Sequence, residues 1–372
     1  NATKDLIVNV DGGRLMLFAT SRQKIRIVLQ SAGETVYAQW QEGSPEKVFT
    51  ADVDKCIEHL IIYKEQYGKE RPVLTWQPEP DEIRPIPAAA DAAPAAIALE
   101  GKDIATNDQL YLTGLHLEQY RHATYVATDY YEEALRRDPD DVRCLNAMGL
   151  WYIRKGRFAK AEPFLRRAVR LIMKRNPQPY EGEPLYNLAL CLKYQGQQEE
   201  AYEWFWKVTW NKAWADAGYF EAAKISVAQG RLDDALDELN RGLVYGAHNQ
   251  KALALKIAVL RLMRRKQEAL KLVADTLATD LFNYVARYEQ YLLTGDESVK
   301  QTLVALMHGM PNNYDQVALE YQAAGLCDEA LQVWAMAIEE GATTPMTYYY
   351  MGRYKEAEKA DSSYCFPNSL EA

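Results

Sequence analysis

KGRFAKAEPFLRRA at residues 155–168 and QGRLDDALDELNRG at residues 229–242 share one layout: glycine, arginine, an apolar residue, two spacers and alanine. Each reads as the entry to an amphipathic helix, and the repetition asks whether that helix is a single element or one copy of a building unit. Anchoring a turn at His122, Gly156, Gly196, Gly230, Arg264, Gly295, Gly325 and Gly352 gives successive spacings of 34, 40, 34, 34, 31, 30 and 27 residues. Five residues after the anchors stand Ala127, Ala161, Ala201, Ala235, Ala269, Lys300, Ala330 and Ala357, so a small residue recurs everywhere but at Lys300. A small side chain at a fixed phase lets two helices approach closely. Residues 106–372 are therefore expected to form an array of about seven helical hairpins, each burying one face on its neighbours.

The unit resembles the tetratricopeptide repeat, a 34-residue helix-turn-helix. Residues Leu145, Met148, Gly149, Tyr152, Gly156, Ala161, Leu165 and Ala168 fall where that family places its marker residues, and Ala127, Tyr131, Ala134 and Pro139 do so in the preceding unit. The short last three units, Lys300 and the stunted first helix from Pro345 are departures, and they predict irregular stacking toward the C-terminal end.

Ahead of the helices the period changes to two. Between residues 4 and 77 the runs LIVNV, RLMLFAT, KIRIVLQ, ETVYAQW, EKVFTADV, EHLIIYK and PVLTW alternate with the turn-rich stretches DGG, SAG, EGSP and QYGKE. Seven short segments at about ten-residue spacing predict an antiparallel sandwich of immunoglobulin or fibronectin-III type over 1–77, with a small barrel as the rival. Residues 78–105, carrying Pro78, Pro80, Pro85, Pro87 and Pro94 among Ala and acidic residues, read as a linker. The expected fold is thus two-domain and mainly α: a β-sandwich, a Pro/Ala-rich linker and an α-α superhelix.

Composition narrows the function. A net charge of −9 argues against attraction to phosphate backbones or anionic lipid, so neither nucleic acid nor a membrane is an expected partner. No run approaches the ~20 apolar residues of a spanning helix. Cys56, Cys144, Cys191, Cys327 and Cys365 are odd in number and widely spaced, which reads as free thiols in a cytoplasmic protein. The opening NATKDLIVNV has no initiator Met and no signal region, and reads as the start of an excised piece of something longer.

Catalytic patterns are missing from the sequence. His59, His116, His122, His248 and His308 form no H-E-x-x-H, there is no G-x-S-x-G, and Gly68-Lys69 and Gly101-Lys102 lack the rest of a P-loop. No metal, cofactor or catalytic residue is expected. Asp233-Asp234 and Glu199-Glu200 begin second helices, where carboxylates offset the positive helix end.

Two features invite a binding role. Trp204, Phe205, Trp206, Trp210 and Trp214 form an aromatic-rich stretch in which Phe205 takes the packing position, leaving Trp204 and Trp206 as candidates for stacking a sugar. The six extra residues between the second and third units make the loop Asn176 to Pro184, which reads either as a lip over the groove or as a spacer.

The run RNPQPYEGEPLYNLALCLKYQGQQEEAYEWFWKVTWNKAW is similar to a segment of the YphG-like family, large bacterial proteins that place a mutarotase-like β-supersandwich ahead of a small β domain and such repeats. That resemblance implies a link to carbohydrate metabolism residing mainly in the upstream domain, and supplies no catalytic residue. The tetratricopeptide resemblance implies a concave groove lined by Arg143, Asn146, Arg154, Glu183, Tyr186, Asn187, Lys193, Tyr194, Phe220, Lys224, Lys251 and Arg261. Its cations imply an acidic peptide or a carboxylate ligand; a solvated helix face is the alternative. The function expected is a non-catalytic interaction scaffold for a peptide or for the parent protein's own N-terminal domain. The rivals are an accessory role in a carbohydrate-active enzyme and a sugar-binding module.

Overall fold

Leu6↔Ala19 through Asp11↔Arg14 is the first antiparallel register of the computed structural model, which describes residues 2–66, 68–78, 99–120 and 124–359. It pairs β1 (Leu6–Asp11) with β2 (Arg14–Ala19) across a two-residue turn in which Gly12 has φ +56°. A Cβ on the neighbouring Gly13 would stand 2.3 Å from the Val53 carbonyl oxygen, so only glycine fits there. Then follow β3 (Gln23–Ser31), β4 (Glu34–Gly43), β5 (Phe49–Asp52), β6 (His59–Gln66) and β7 (Lys69–Trp76). The second hairpin turns at Ala32 and Gly33, both at positive φ, and the Ala32 N–H donates to the Glu58 carboxylate at 2.8 Å. This bond helps hold a backbone conformation that alanine disfavours.

The strands form two sheets, β1-β2-β5 and β4-β3-β6-β7, with no ladder joining them among the described residues. This is a sandwich and not a barrel. Its fourth strand stays beside the third instead of crossing to the first sheet, which departs from the constant-type immunoglobulin arrangement. The alternation read in the sequence puts Leu6, Val8, Leu15, Leu17, Ile25, Ile27, Leu29, Leu60, Ile62 and Leu74 into one shared core.

From residue 101 onward the structure is helical. A 3-10 turn at Gly101–Asp103 leads into α1 (Asn107–Gln119) and α2 (Ala127–Arg137). Arg137 donates to the carbonyls of Gly101 at 3.0 Å and Ile104 at 2.6 Å, and Ile104 enters the core of the first hairpins. This end of the linker segment thus lies along the helices; residues 79–98 of it fall outside the described residues. The array continues with α3 (Val142–Arg154) and α4 (Phe158–Met173), α5 (Glu183–Tyr194) and α6 (Gln198–Val208), α7 (Ala215–Ala228) and α8 (Leu232–Tyr245), α9 (Gln250–Leu262) and α10 (Lys266–Thr279). It closes with α11 (Tyr284–Thr294), α12 (Glu297–Met307), α13 (Pro311–Ala323), α14 (Cys327–Glu339) and α15 (Pro345–Lys359).

The turn anchors are physical. Gly156, Gly196, Gly230, Arg264 and Gly325 have positive φ between the helices of their pairs, and Gly295 has it at the end of α11. His122 lies outside the described residues, and Gly352 is a correction, because it sits inside α15. Ala161, Ala201, Ala235, Ala269 and Ala330 are completely buried, as helix approach requires. Replacing Ala235 by leucine is expected to overpack the α7–α8 seam and to cost about 1–3 kcal/mol. An unchanged midpoint in thermal unfolding followed by circular dichroism would refute the register.

One helix departs from the array. The chain divides into two compact units, one of residues 1–94 with Asp296–Gly309, the other of residues 95–295 and 310–372. Helix α12 therefore belongs with the β-sandwich, where the His308 ring lies edge-on to Phe18, 5.7 Å between centroids, and its Nε2 is 3.1 Å from the Pro45 carbonyl oxygen. This is the helix of Lys300. The broken small-residue rule marks a helix that has no hairpin seam to fit.

The cysteines bring a second correction. Cys56, Cys144 and Cys191 are free, but Cys327 is disulfide-bonded. Distance along the chain does not report which cysteines meet in space.

Candidate functional site

The first helices of the repeats line a groove of about 960 Å3 that runs from Tyr186 on α5 to Tyr350 on α15. Phe220, Leu255, Ala258, Val285 and Leu319 form its apolar floor. Above this floor, Asn312 and Gln316 on α13 have side-chain amides with no hydrogen-bond partner among the described residues. Its charged wall is Glu221 between two lysines: Lys193 reaches one carboxylate oxygen at 2.8 Å and Lys224 holds the other. Burial alone would raise the Glu221 carboxyl, but the two ammonium groups outweigh it and hold the pKa below the ordinary carboxylate value. Burial pushes the Lys224 ammonium down, and repulsion from Lys193 adds to the effect.

A second cleft, of about 970 Å3, opens beside α1, α3 and the loop from Asn176 to Pro184. That loop is a wall and not a spacer. Gln178 Nε2 donates to the Trp210 carbonyl at 3.0 Å, Asn211 Nδ2 donates to the Tyr180 carbonyl at 2.5 Å, and a Cβ on Gly182 would meet Trp214 at 2.6 Å.

The residues singled out in the sequence divide between these places. Tyr186, Phe220, Lys224 and Lys251 line the first groove; Arg143, Asn146 and Glu183 line the second. Asn187 lines neither; its amide donates to the Asn146 carbonyl oxygen at 2.9 Å, and both residues are nearly buried. Tyr194 stacks on Phe158 at 5.1 Å. Arg261 lines neither groove: it enters the interior, where it pairs with Glu289 at 2.6 Å and Glu329 at 2.6 Å.

Every cation expected in the groove already has a carboxylate. Besides Lys193, Lys224 and Arg261, Arg143 pairs with Asp108 and Asp141, Arg154 with Glu118, and Lys251 with Glu320. The local positive excess that pointed to an acidic partner is therefore balanced from within the fold. Sequence reading counted the cations because they share helix positions, and missed partners that stand 28 to 36 residues away for four of them.

Trp204 and Trp206 line neither cleft. The Trp206 indole donates to Glu238 at 3.1 Å and meets Tyr219 edge-on at 5.4 Å, while Trp204 donates to Glu200 at 3.3 Å. Both pack against the core of the middle repeats. The residues sequence reasoning did not name as binding candidates are Asn312, Gln316, Tyr180 and Trp210; Tyr180 and Trp210 belonged to stretches that had drawn notice, the Asn176 to Pro184 loop and the aromatic-rich run.

Comparison with known proteins follows the same division. Residues 1–66 match the family model of the YphG-like protein, second domain, and residues 142–172 match the tetratricopeptide repeat. The chain carries a YphG-like second domain followed by a tetratricopeptide-repeat solenoid. Among solved structures, a tetratricopeptide repeat protein from Parabacteroides merdae is 12% identical over 66% of this chain and 97% of its own, with a TM-score of 0.49. The apo form of RapI is 13% identical over 63% and 97%, also at 0.49. YrrB, described as a TPR protein with an unusual peptide-binding site, is 16% identical over 49% and 90%, at 0.41. The solenoid assignment rests on the hairpins of this chain and on the family match. No helix of the described residues is long and apolar enough to cross a membrane.

Proposed function

We propose that the chain is a non-catalytic protein-interaction scaffold whose helical unit holds an extended peptide segment in the groove between α5 and α15. The observation that supports this reading is the combination of an apolar floor with the unpartnered amides of Asn312 and Gln316. Apolar side chains of a ligand would cover Phe220, Leu255 and Leu319, while primary amides suit the donors and acceptors of a peptide backbone. Because the family description names the sandwich as a second domain, an upstream domain of the same polypeptide is the first partner to test.

Placing a carboxylate on the floor with Leu255→Glu and Leu319→Glu is expected to weaken capture of that upstream domain at least about tenfold, equivalent to about 1.4 kcal/mol. Calorimetric titration with the separately expressed domain measures it. A dissociation constant unmoved by both substitutions would exclude this groove.

A further inference from the structure

The second cleft has charged groups of its own. Of the two cations that line it, Lys212 is exposed at the rim with no ion pair among the described residues, and Arg143 is neutralised: its guanidinium stands 5.4 Å from the Tyr111 ring and is held by Asp108 and Asp141. The carboxylates of the cleft are not neutralised in this way. Glu181 and Glu183 have no ion pair among the described residues, and Glu183 receives only a 3.5 Å contact from Asn187. Their charge reaches the opposite wall, where burial first, and then Glu183 and Glu181, raise the Tyr111 phenol above its ordinary pKa.

Two aromatic rings beside these carboxylates are left in water. Tyr180 is 94% exposed and Trp210 57%, although the backbone carbonyls of both are pinned by the hydrogen bonds across the loop. Trp210 already holds one cation, since Lys207 Nζ lies 3.4 Å from its ring centroid. At the cleft's base Asn146 is 9% exposed; its carbonyl oxygen accepts from Asn187, and its own N–H donors have no acceptor among the described residues. The cleft thus combines unpaired carboxylates, ring faces and a nearly buried amide donor. Each suits a different part of one kind of ligand.

We infer that this cleft receives an arginine or lysine side chain presented on an extended peptide. Glu181 and Glu183 pair with the cationic head, Tyr180 and Trp210 cover its stem, and Asn146 donates to a backbone carbonyl of the ligand. The inference rests on the peptide-scaffold reading but concerns a separate cleft and the opposite charge from the acidic partner the sequence suggested.

The test compares two blocked pentapeptides, glycines around a central arginine or around a central citrulline, which keeps the length and planar head but removes the charge and turns one N–H2 donor into a carbonyl acceptor. Titration into the full chain at low salt, followed by tryptophan fluorescence, is expected to give at least about tenfold tighter binding of the arginine peptide. In the isosteric double variant Glu181→Gln with Glu183→Gln, checked for an unchanged circular dichroism spectrum, that preference is expected to vanish. Equal affinity for the two peptides, no binding of either, or a preference that survives in the double variant would overturn the proposal. Arginine amide binding as tightly as the peptide would overturn its peptide part. Because Leu255 and Leu319 lie outside this cleft, the two proposals can fail independently: an unaffected arginine preference in the Leu255→Glu, Leu319→Glu variant separates them.

Discussion

Glu289→Ala is expected to destabilise the helical unit by about 3–5 kcal/mol, the range for removing one partner of a buried ion pair. The Glu289 side chain has no exposed surface. One oxygen accepts from the Tyr321 hydroxyl at 2.8 Å and the other from Arg261 Nε at 2.6 Å, so alanine leaves a buried donor and a half-paired guanidinium behind. Burial holds the Glu289 carboxyl above its ordinary pKa, with the hydrogen bond and charge of Arg261 acting against it. Glu289→Gln keeps an acceptor for Tyr321 while Glu329 still balances Arg261, and is expected to cost clearly less. Urea midpoints followed at 222 nm rank the two variants; equal and small losses would show that the network does not stabilise the unit.

The second large effect is expected at Glu221. Glu221→Gln removes the carboxylate held between Lys193 and Lys224, whose side chains are 14% and 13% exposed, and leaves two nearly buried ammonium groups without it. A loss of about 3–5 kcal/mol at pH 7 is expected. The pH dependence identifies the cause. In the native protein the Glu221 pKa is depressed, so its contribution is present above the unfolded carboxylate value and is lost as pH falls through the folded one. In the variant that acid-side loss disappears. Lys224, whose ammonium burial already pushes down and which loses the Glu221 charge that counteracts this, instead titrates below its unfolded value of about 10.4. The unfolded chain then binds more protons in between, and stability rises from pH 7 toward 10. A variant whose stability stays flat over that interval would show that the lysines find other partners or water.

How much of this was legible depends on the range of the interaction. The glycine turns, the buried alanines and the alternating strand residues are local consequences of backbone geometry and period, and each can be read within a few residues. Lys300 was legible as a break in the small-residue rule but not as the mark of a helix that leaves the array, because the grouping of α12 with the sandwich is non-local. Arg261 illustrates the other limit. Its helical phase alone assigns it to a groove, yet with α12 outside the helical unit it reaches Glu329, 68 residues on, and a Cβ on Gly325 would come within 2.8 Å of Ala228. The ion pairs that neutralise the groove are non-local in the same way. A one-dimensional charge count sees the residues and not the pairs.

Repeat arrays commonly vary in length between relatives, because a whole hairpin can be lost or duplicated and its neighbours close the gap. That freedom ends at α11 and α12. Excising this pair would strip a helix from the sandwich, and duplicating it would leave a spare one with nothing to cover. Copy number is therefore locked at this point of the chain, and insertions that lengthen the solenoid belong before Tyr284 or after Met310.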